Sequence, residues 1–187
     1  MNLKLINAKV ELCNKCKLSP NRGLGYGDGK SKIMFIAQNA GWQPKSRTAD
    51  IIPFGLDDGG NNSGRTLVKL FKDVEMNAPY YITNVMKCPT PDNRPPTDDE
   101  IFRCIDFLRL ELESQKPKLI FVMGNVAKHS YNFYMKRLLK KLLDDGHCWF
   151  VHYMWHPRAV MRNPKLYAQW KTEFDAFWTQ YKHLVKQ

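Results

Sequence analysis

Four cysteines, two asparagines and one histidine are the side chains in this sequence whose types and spacing could do chemistry. Cys13 and Cys16 form a Cys-x-x-Cys pair near the start, and Cys88 and Cys104 follow in the middle of the chain. Four thiolates with no histidine in the set are a metal-site pattern. By spacing alone, structural zinc comes first and an iron–sulfur cluster second. Either would staple the N-terminal segment to the middle of the chain. The fifth cysteine, Cys148, falls in an apolar run and reads as a core residue. Asn39, Asn84 and His156 each follow or end an apolar run of strand-forming residues. An amide there can donate and accept at once, and an imidazole can hold or pass a proton. Their plainer readings are a loop cap, a backbone-bonded amide and a satisfied structural histidine. Position after a strand favours function in all three.

Those side chains need elements to place them. Tyr80 to Val85 reads as a short buried strand with Asn84 near its end, where a parallel strand delivers a side chain to a ligand crevice. The turn-rich stretch Pro89 to Pro96 leads into Thr97-Asp98-Asp99-Glu100, a capping box that starts a helix with Cys104 inside it. Lys32 to Ala37, Lys118 to Met123 and Cys148 to Met154 are three further strands. Ser63 caps a helix running to about Val74, and Asp98 opens one burying Ile101, Ile105, Leu108 and Leu112. A helical stretch after Asn125 runs to about Asp144 and is stopped by Gly146. The last helix, about Pro164 to Val185, carries Trp170, Phe174, Phe177, Trp178 and Tyr181 as a core stripe. Residues 43–62 form a long loop, of the kind that is functional or disordered. Gly25 to Gly29 precedes a strand instead of following one, so it is not a phosphate loop. Alternating strands and helices predict an α/β fold, a three-layer α/β/α sandwich around a mostly parallel four-stranded sheet, in one domain over residues 1–187. The segments Gln38–Pro44, Asn84–Cys88 and Trp155–Arg162 leave the carboxyl ends of strands and should converge on one crevice.

Composition narrows the partners. Lys and Arg number 29 against 18 Asp and Glu, a net charge of +11 that points to a polyanion, most commonly nucleic acid. Lys136, Arg137, Lys140 and Lys141 read as a solvated or DNA-facing surface. Met1 to Val10 is too short, and too broken by Lys4, Asn7 and Lys9, for a secretory signal. No apolar run approaches a membrane span. An odd cysteine count in such a chain argues against a disulfide framework. The expectation is a cytoplasmic monomer with no membrane partner.

With these pieces in place, the chain resembles the family 4 uracil-DNA glycosylases, the iron–sulfur members of their superfamily. The resemblance spans about residues 10 to 180. It rests on Cys13-x-x-Cys16, Pro53-Phe54, Ser63-Gly64-Arg65, Tyr81-Ile82-Thr83-Asn84-Val85-x-Lys87-Cys88, Asn93-Arg94-Pro95-Pro96-Thr97, Cys104, and His156-Pro157 with Arg162. It implies a 4Fe–4S cluster on Cys13, Cys16, Cys88 and Cys104, which overturns the zinc preference. It also implies a nucleotide flipped out of DNA into a pocket. Phe54 would stack on the base, Asn84 would read its Watson–Crick edge, and His156 would hydrogen-bond the oxygen where charge gathers as the base leaves. Arg158 and Arg162, in a loop wedged into the groove, would lie near phosphate or base.

The departures from that family fall at the pocket. Its usual Gly-Glu-Ala-Pro-Gly is Ala37-Gln38-Asn39-Ala40-Gly41 here. Gln38 replaces the acid, and Asn39 falls where the first family keeps a water-activating aspartate. An asparagine there resembles the mismatch-specific and single-strand-selective branches. It can orient water through its carbonyl but is a poor base, which suits C–N cleavage running ahead of water attack. Leu56 to Asn62 looks like an insertion, and Arg158 stands where the family often has serine. A glycosylase acting on uracil or a modified pyrimidine is therefore expected. One alternative removes bulky cytosines, hydroxymethylated or glucosylated, from phage DNA in antiviral defence. Others are a non-catalytic iron–sulfur DNA-binding module and a redox iron–sulfur protein.

Overall fold

The computed structural model describes residues 2–18, 21–41, 52–58, 62–132 and 148–185. Among them the apolar runs form the sheet. Strand β1 is Tyr26–Gly27, β2 Ile33–Asn39, β3 Tyr81–Met86, β4 Leu119–Met123 and β5 Phe150–Met154. Their order is β1-β3-β2-β4-β5. All neighbours are parallel except the β1–β3 pair. The sheet thus has five strands, the predicted four plus a short antiparallel edge.

Period-two alternation divides β2 between two cores. Met34 and Ile36 face one, with Val10, Ile101, Leu108, Leu112 and Ala127. These come from α1 (Leu3–Glu11), α3 (Asp98–Gln115) and α4 (Asn125–Ser130). Ile33, Phe35 and Ala37 face the other, with Leu67, Phe71, Val160, Trp170 and Phe174. Those belong to α2 (Asn62–Asp73), α5 (Pro157–Arg162) and α6 (Leu166–Tyr181). The result is the α/β/α sandwich, with Trp170, Phe174 and Trp178 buried as core.

The order in which strands are added reverses at β2. From β2 the chain steps to β3 on one side, then crosses to β4 and β5 on the other. A crevice at the carboxyl ends of the strands follows from such a switch.

Several boundaries differ from the sequence reading. β2 runs two residues beyond Ala37, because Asn39 still pairs with Met86 of β3, so Gln38 and Asn39 end a strand instead of opening a loop. β5 starts at Phe150, whose N–H donates to the carbonyl of Lys118 at 2.8 Å. Cys148 precedes it and is exposed, which corrects its placement in the core. Ser63 lies in the first turn of α2 instead of before it. The expected wedge loop after His156 is a short helix, since Pro157 presets the first helical residue and His156 caps it. The capping box of α3 is as predicted. Beyond residue 132, the stretch to Asp144, its stop at Gly146 and its four basic residues lie outside the described residues. Among the described residues no helix is long and apolar enough to cross a membrane.

Candidate active site

The carboxyl ends of β2, β3 and β5 meet around a cavity of about 400 Å³. Gln38 and Asn39 reach it from β2 and Asn84 from β3. Phe54 reaches it from a 3-10 turn, and His156, Arg158 and Arg162 from the start and length of α5. The crevice inferred from three strand ends is therefore a single pocket, and every non-cysteine candidate lines it. Trp42 to Pro44 and residues 59–61 of the apparent insertion lie outside the described residues, as do the side chains of Asp57 and Asp58.

Each polar group has a definite orientation. Asn84 is almost fully buried, at 3% exposure. Its main-chain carbonyl accepts from Lys87 Nζ at 2.9 Å, while its side-chain amide has no hydrogen-bond partner among the described residues. Both its donor and its acceptor are available to a ligand. Asn39 Nδ2 donates to the carbonyl of Ala40 and to Thr90 Oγ1, each at 3.1 Å. His156 Nδ1 accepts from the Arg158 N–H at 3.1 Å. Burial, helped by the Arg158 charge, pushes the His156 pKa down to about 4. At neutral pH the ring is uncharged, and with Nδ1 accepting its proton sits on Nε2. Arg158 and Arg162 are exposed at the mouth.

Two glycines make room for this arrangement. Phe54 has φ 60° and ψ 10°, a left-handed conformation unusual for an aromatic residue, and its ring lies 5.5 Å from that of His156. A Cβ on Gly64 would stand 2.4 Å from the Phe54 carbonyl oxygen. Gly124, with φ +86°, would place one 3.1 Å from His156 Cβ. Neither position admits a side chain without moving a pocket residue.

The sequence reading missed the far wall. Asp92 and Asn93 line the cavity from the linker, both with positive φ. Adjacent Asp and Asn tolerate that conformation, which was the available signal. Behind them, Arg94 grips Glu100 with Nη1–Oε2 at 2.9 Å and Nη2–Oε1 at 2.6 Å. This pair holds the Glu100 carboxyl down at about 2. Beneath Asn84 lies a buried ion pair, Lys87 Nζ to Glu111 Oε2 at 2.7 Å. Thr83 and Tyr81 hydroxyls also donate to that carboxylate. The same Lys87 donates its backbone N–H to Cys104 Sγ at 3.2 Å.

None of the four cysteines is in a disulfide. Cys88 and Cys104 are buried, and desolvation pushes their thiols up to about 11 and about 12. Cys13 and Cys16 are half-buried on the loop after α1. The second pair feels the first: Cys13 and Cys16 raise Cys88, and Cys88 and Cys13 raise Cys104. Arg22 holds the first loop through two bonds to the Cys13 carbonyl, at 2.6 and 3.2 Å. Among the described residues no three His, Cys, Asp or Glu groups close round a single metal ion.

This architecture, with its pocket at the strand ends, is that of a known class. Residues 24–182 match the family model of the uracil DNA glycosylase superfamily, so the chain belongs to that superfamily. Within it, the chain is 30% identical to the type-4 uracil-DNA glycosylase of Saccharolobus solfataricus, over 88% of this chain and 80% of that protein. It is 27% identical to the type-4 enzyme of Archaeoglobus fulgidus, covering 89% and 86%. A 28% match to the type-4 enzyme of Sulfurisphaera tokodaii covers 88% and 78%.

Proposed function

We propose that this protein is a monofunctional DNA glycosylase that flips a pyrimidine, uracil in the first reading, out of DNA and hydrolyses its N-glycosidic bond to leave an abasic site. The observation that carries it is one cavity holding a buried amide without a partner among the described residues (Asn84), a neutral imidazole with its proton on Nε2 (His156) and an aromatic ring (Phe54). Phe54 stacks on the flipped base. Asn84 reads its edge, donating to one position and accepting from the next. His156 donates from Nε2 to the base oxygen on which charge develops, a contribution of about 3 kcal/mol in comparable sites. Because the ring is neutral, it stabilises the departing anion by a hydrogen bond instead of protonating it. Asn39 holds water through Oδ1, enough for a sugar cation that forms before attack. Gln38 borders the base, and Arg158 and Arg162 meet phosphate at the mouth.

The donor set, four free thiols with no histidine, fits a 4Fe–4S cluster. All four thiols are free, and Cys13 and Cys16 stand close enough to Cys88 to raise its thiol. Cys13, Cys16, Cys88 and Cys104 would hold it. When bound, the cluster supplies a structural cross-link, and its positive iron allows thiolates that burial alone opposes.

One observation favours the second reading, removal of a cytosine carrying a hydroxymethyl or glucosyl group. A further cavity, of about 600 Å³, adjoins the first and shares Gln38, His156 and Arg162 with it. Space beside the base edge suits a bulky appendage. The deciding experiment is base release from uracil-containing single and double strands and from phage DNA with hydroxymethylated or glucosylated cytosine. Alkali would reveal abasic sites, with His156→Ala as control. Release from uracil supports the first reading, and release from the phage DNA alone supports the second. DNA binding with no release from any substrate would leave a non-catalytic binding module.

A further inference from the structure

We propose that Thr90 is a positioning residue that fixes which way the Asn39 amide faces; its catalytic consequence rests on the glycosylase reading above. The linker that looks like an ordinary turn carries this role. Thr90 is fully buried, and its hydroxyl donates to the carbonyl of Arg94 at 2.5 Å. With its only proton committed, Oγ1 has nothing but lone pairs to offer Asn39. The neighbouring Ala40 carbonyl is likewise an acceptor and nothing else. Both lie within 3.1 Å of Asn39 Nδ2. An amide turned over would set its oxygen against two acceptors, so the NH₂ end faces the linker. Oδ1 is left toward the pocket, with no protein partner among the described residues. That is the end that can orient a water for attack on the sugar.

The hydroxyl is itself held. Asn93 N–H donates to the Thr90 carbonyl and Arg94 N–H to that of Pro91, both at 3.0 Å, closing the turn. Arg94 is clamped by Glu100, whose Oε2 also accepts from the Thr97 N–H at 2.8 Å. Asn39 is therefore aligned against the first turn of α3.

Two measurements test this. In ¹⁵N-labelled protein without DNA, the Asn39 side-chain amide protons should exchange with solvent more slowly than those of exposed asparagines. Thr90→Val should remove that protection and Thr90→Ser should keep it. Fast exchange in the wild type overturns the proposal, whether or not the valine variant folds. In single turnover, Thr90→Val should lower the rate roughly 10- to 100-fold, the scale of a misplaced reacting group, with DNA affinity unchanged. Thr90→Ser should restore the rate, and Thr90→Val added to Asn39→Ala should cost nothing more. An equal loss on the Asn39→Ala background would mean that Thr90 does not act through Asn39, and would overturn the proposal. Protected amide protons with no base released by the wild type would keep the orientation and sink the glycosylase reading instead.

Discussion

On the proposed glycosylase reading, His156 is the residue whose protonation state decides what the pocket can do. An ordinary histidine would gain charge near pH 6.5. Here burial and Arg158 move that step down to about 4. The neutral donor therefore persists from pH 8 to pH 5, and kcat/KM in single-nucleotide release should show no step near 6.5 from this group. An acid limb should appear near 4 in the free enzyme. A midpoint at 6.5 that vanishes in His156→Asn would contradict the neutral-donor role. Stability follows with a definite sign. Below pH 6.5 the unfolded chain takes up a proton that folded His156 refuses until about pH 4, so stability is full above 6.5 and falls across that window. His152 adds in the same direction, because its pKa is lowered by burial and its Nε2 has no hydrogen-bond partner among the described residues. Urea midpoints measured from pH 7 to pH 4.5 should decline, and less steeply in His152→Phe.

Elements hold these residues through close backbone approaches and one buried ion pair. Gly64 in α2 lies so near Phe54 that Gly64→Ala must push the 3-10 turn outward. Base release should fall at least about 10-fold, the scale of a displaced reacting group, while the sheet core stays intact. Wild-type turnover in that variant would remove Phe54 from the stacking role. Lys87, one residue beyond β3, and Glu111 of α3 join the two elements out of contact with bulk solvent, at 1% and 0% side-chain exposure. Lys87→Met should cost about 3–5 kcal/mol by stranding the carboxylate, and Lys87→Met with Glu111→Leu should recover most of it. Denaturant titration of the three proteins measures both. The sequence made the four apolar strands and the pocket residues at their ends legible, since burial and strand-end position both leave marks in residue type. It did not show β1, a two-residue edge too short to leave an alternating pattern and held by pairing to Ile82 and Tyr81. Nor did it show that β2 continues through Gln38 and Asn39, which are poor strand formers kept in register by Met86. The Lys87–Glu111 pair, 24 residues apart, and the hydroxyl of Thr90 in a proline-rich turn were legible only once the chain was folded.

At the scale of the whole molecule, the proposed cluster would tie together two segments that carry its cysteines. The loop carrying Cys13 and Cys16 precedes β1, and Cys88 and Cys104 sit beyond β3 and inside α3. α1 already packs on the core through Ile6 and Val10, and Arg22 pins the Cys13 carbonyl. On the proposed reading the scaffold should therefore form without a cluster, whereas the linker from Cys88 to Thr97 starts at one of the residues that would hold it. That linker supplies Thr90, Asp92 and Asn93 to the pocket region. Loss of the cluster should loosen the pocket's far wall before it melts the sheet. Protein purified under nitrogen should carry about four iron atoms per chain and a broad visible absorbance. Cys88→Ala should lose the colour, lower the thermal midpoint and raise aggregation, while far-ultraviolet circular dichroism stays close to wild type. Single-turnover release by whatever remains soluble should be slowed more than DNA binding is weakened. A colourless wild type, with zinc or no metal after anaerobic purification, would remove the cluster from this account. A soluble, fully active Cys88→Ala would show that the linker's own hydrogen bonds hold it without a cluster.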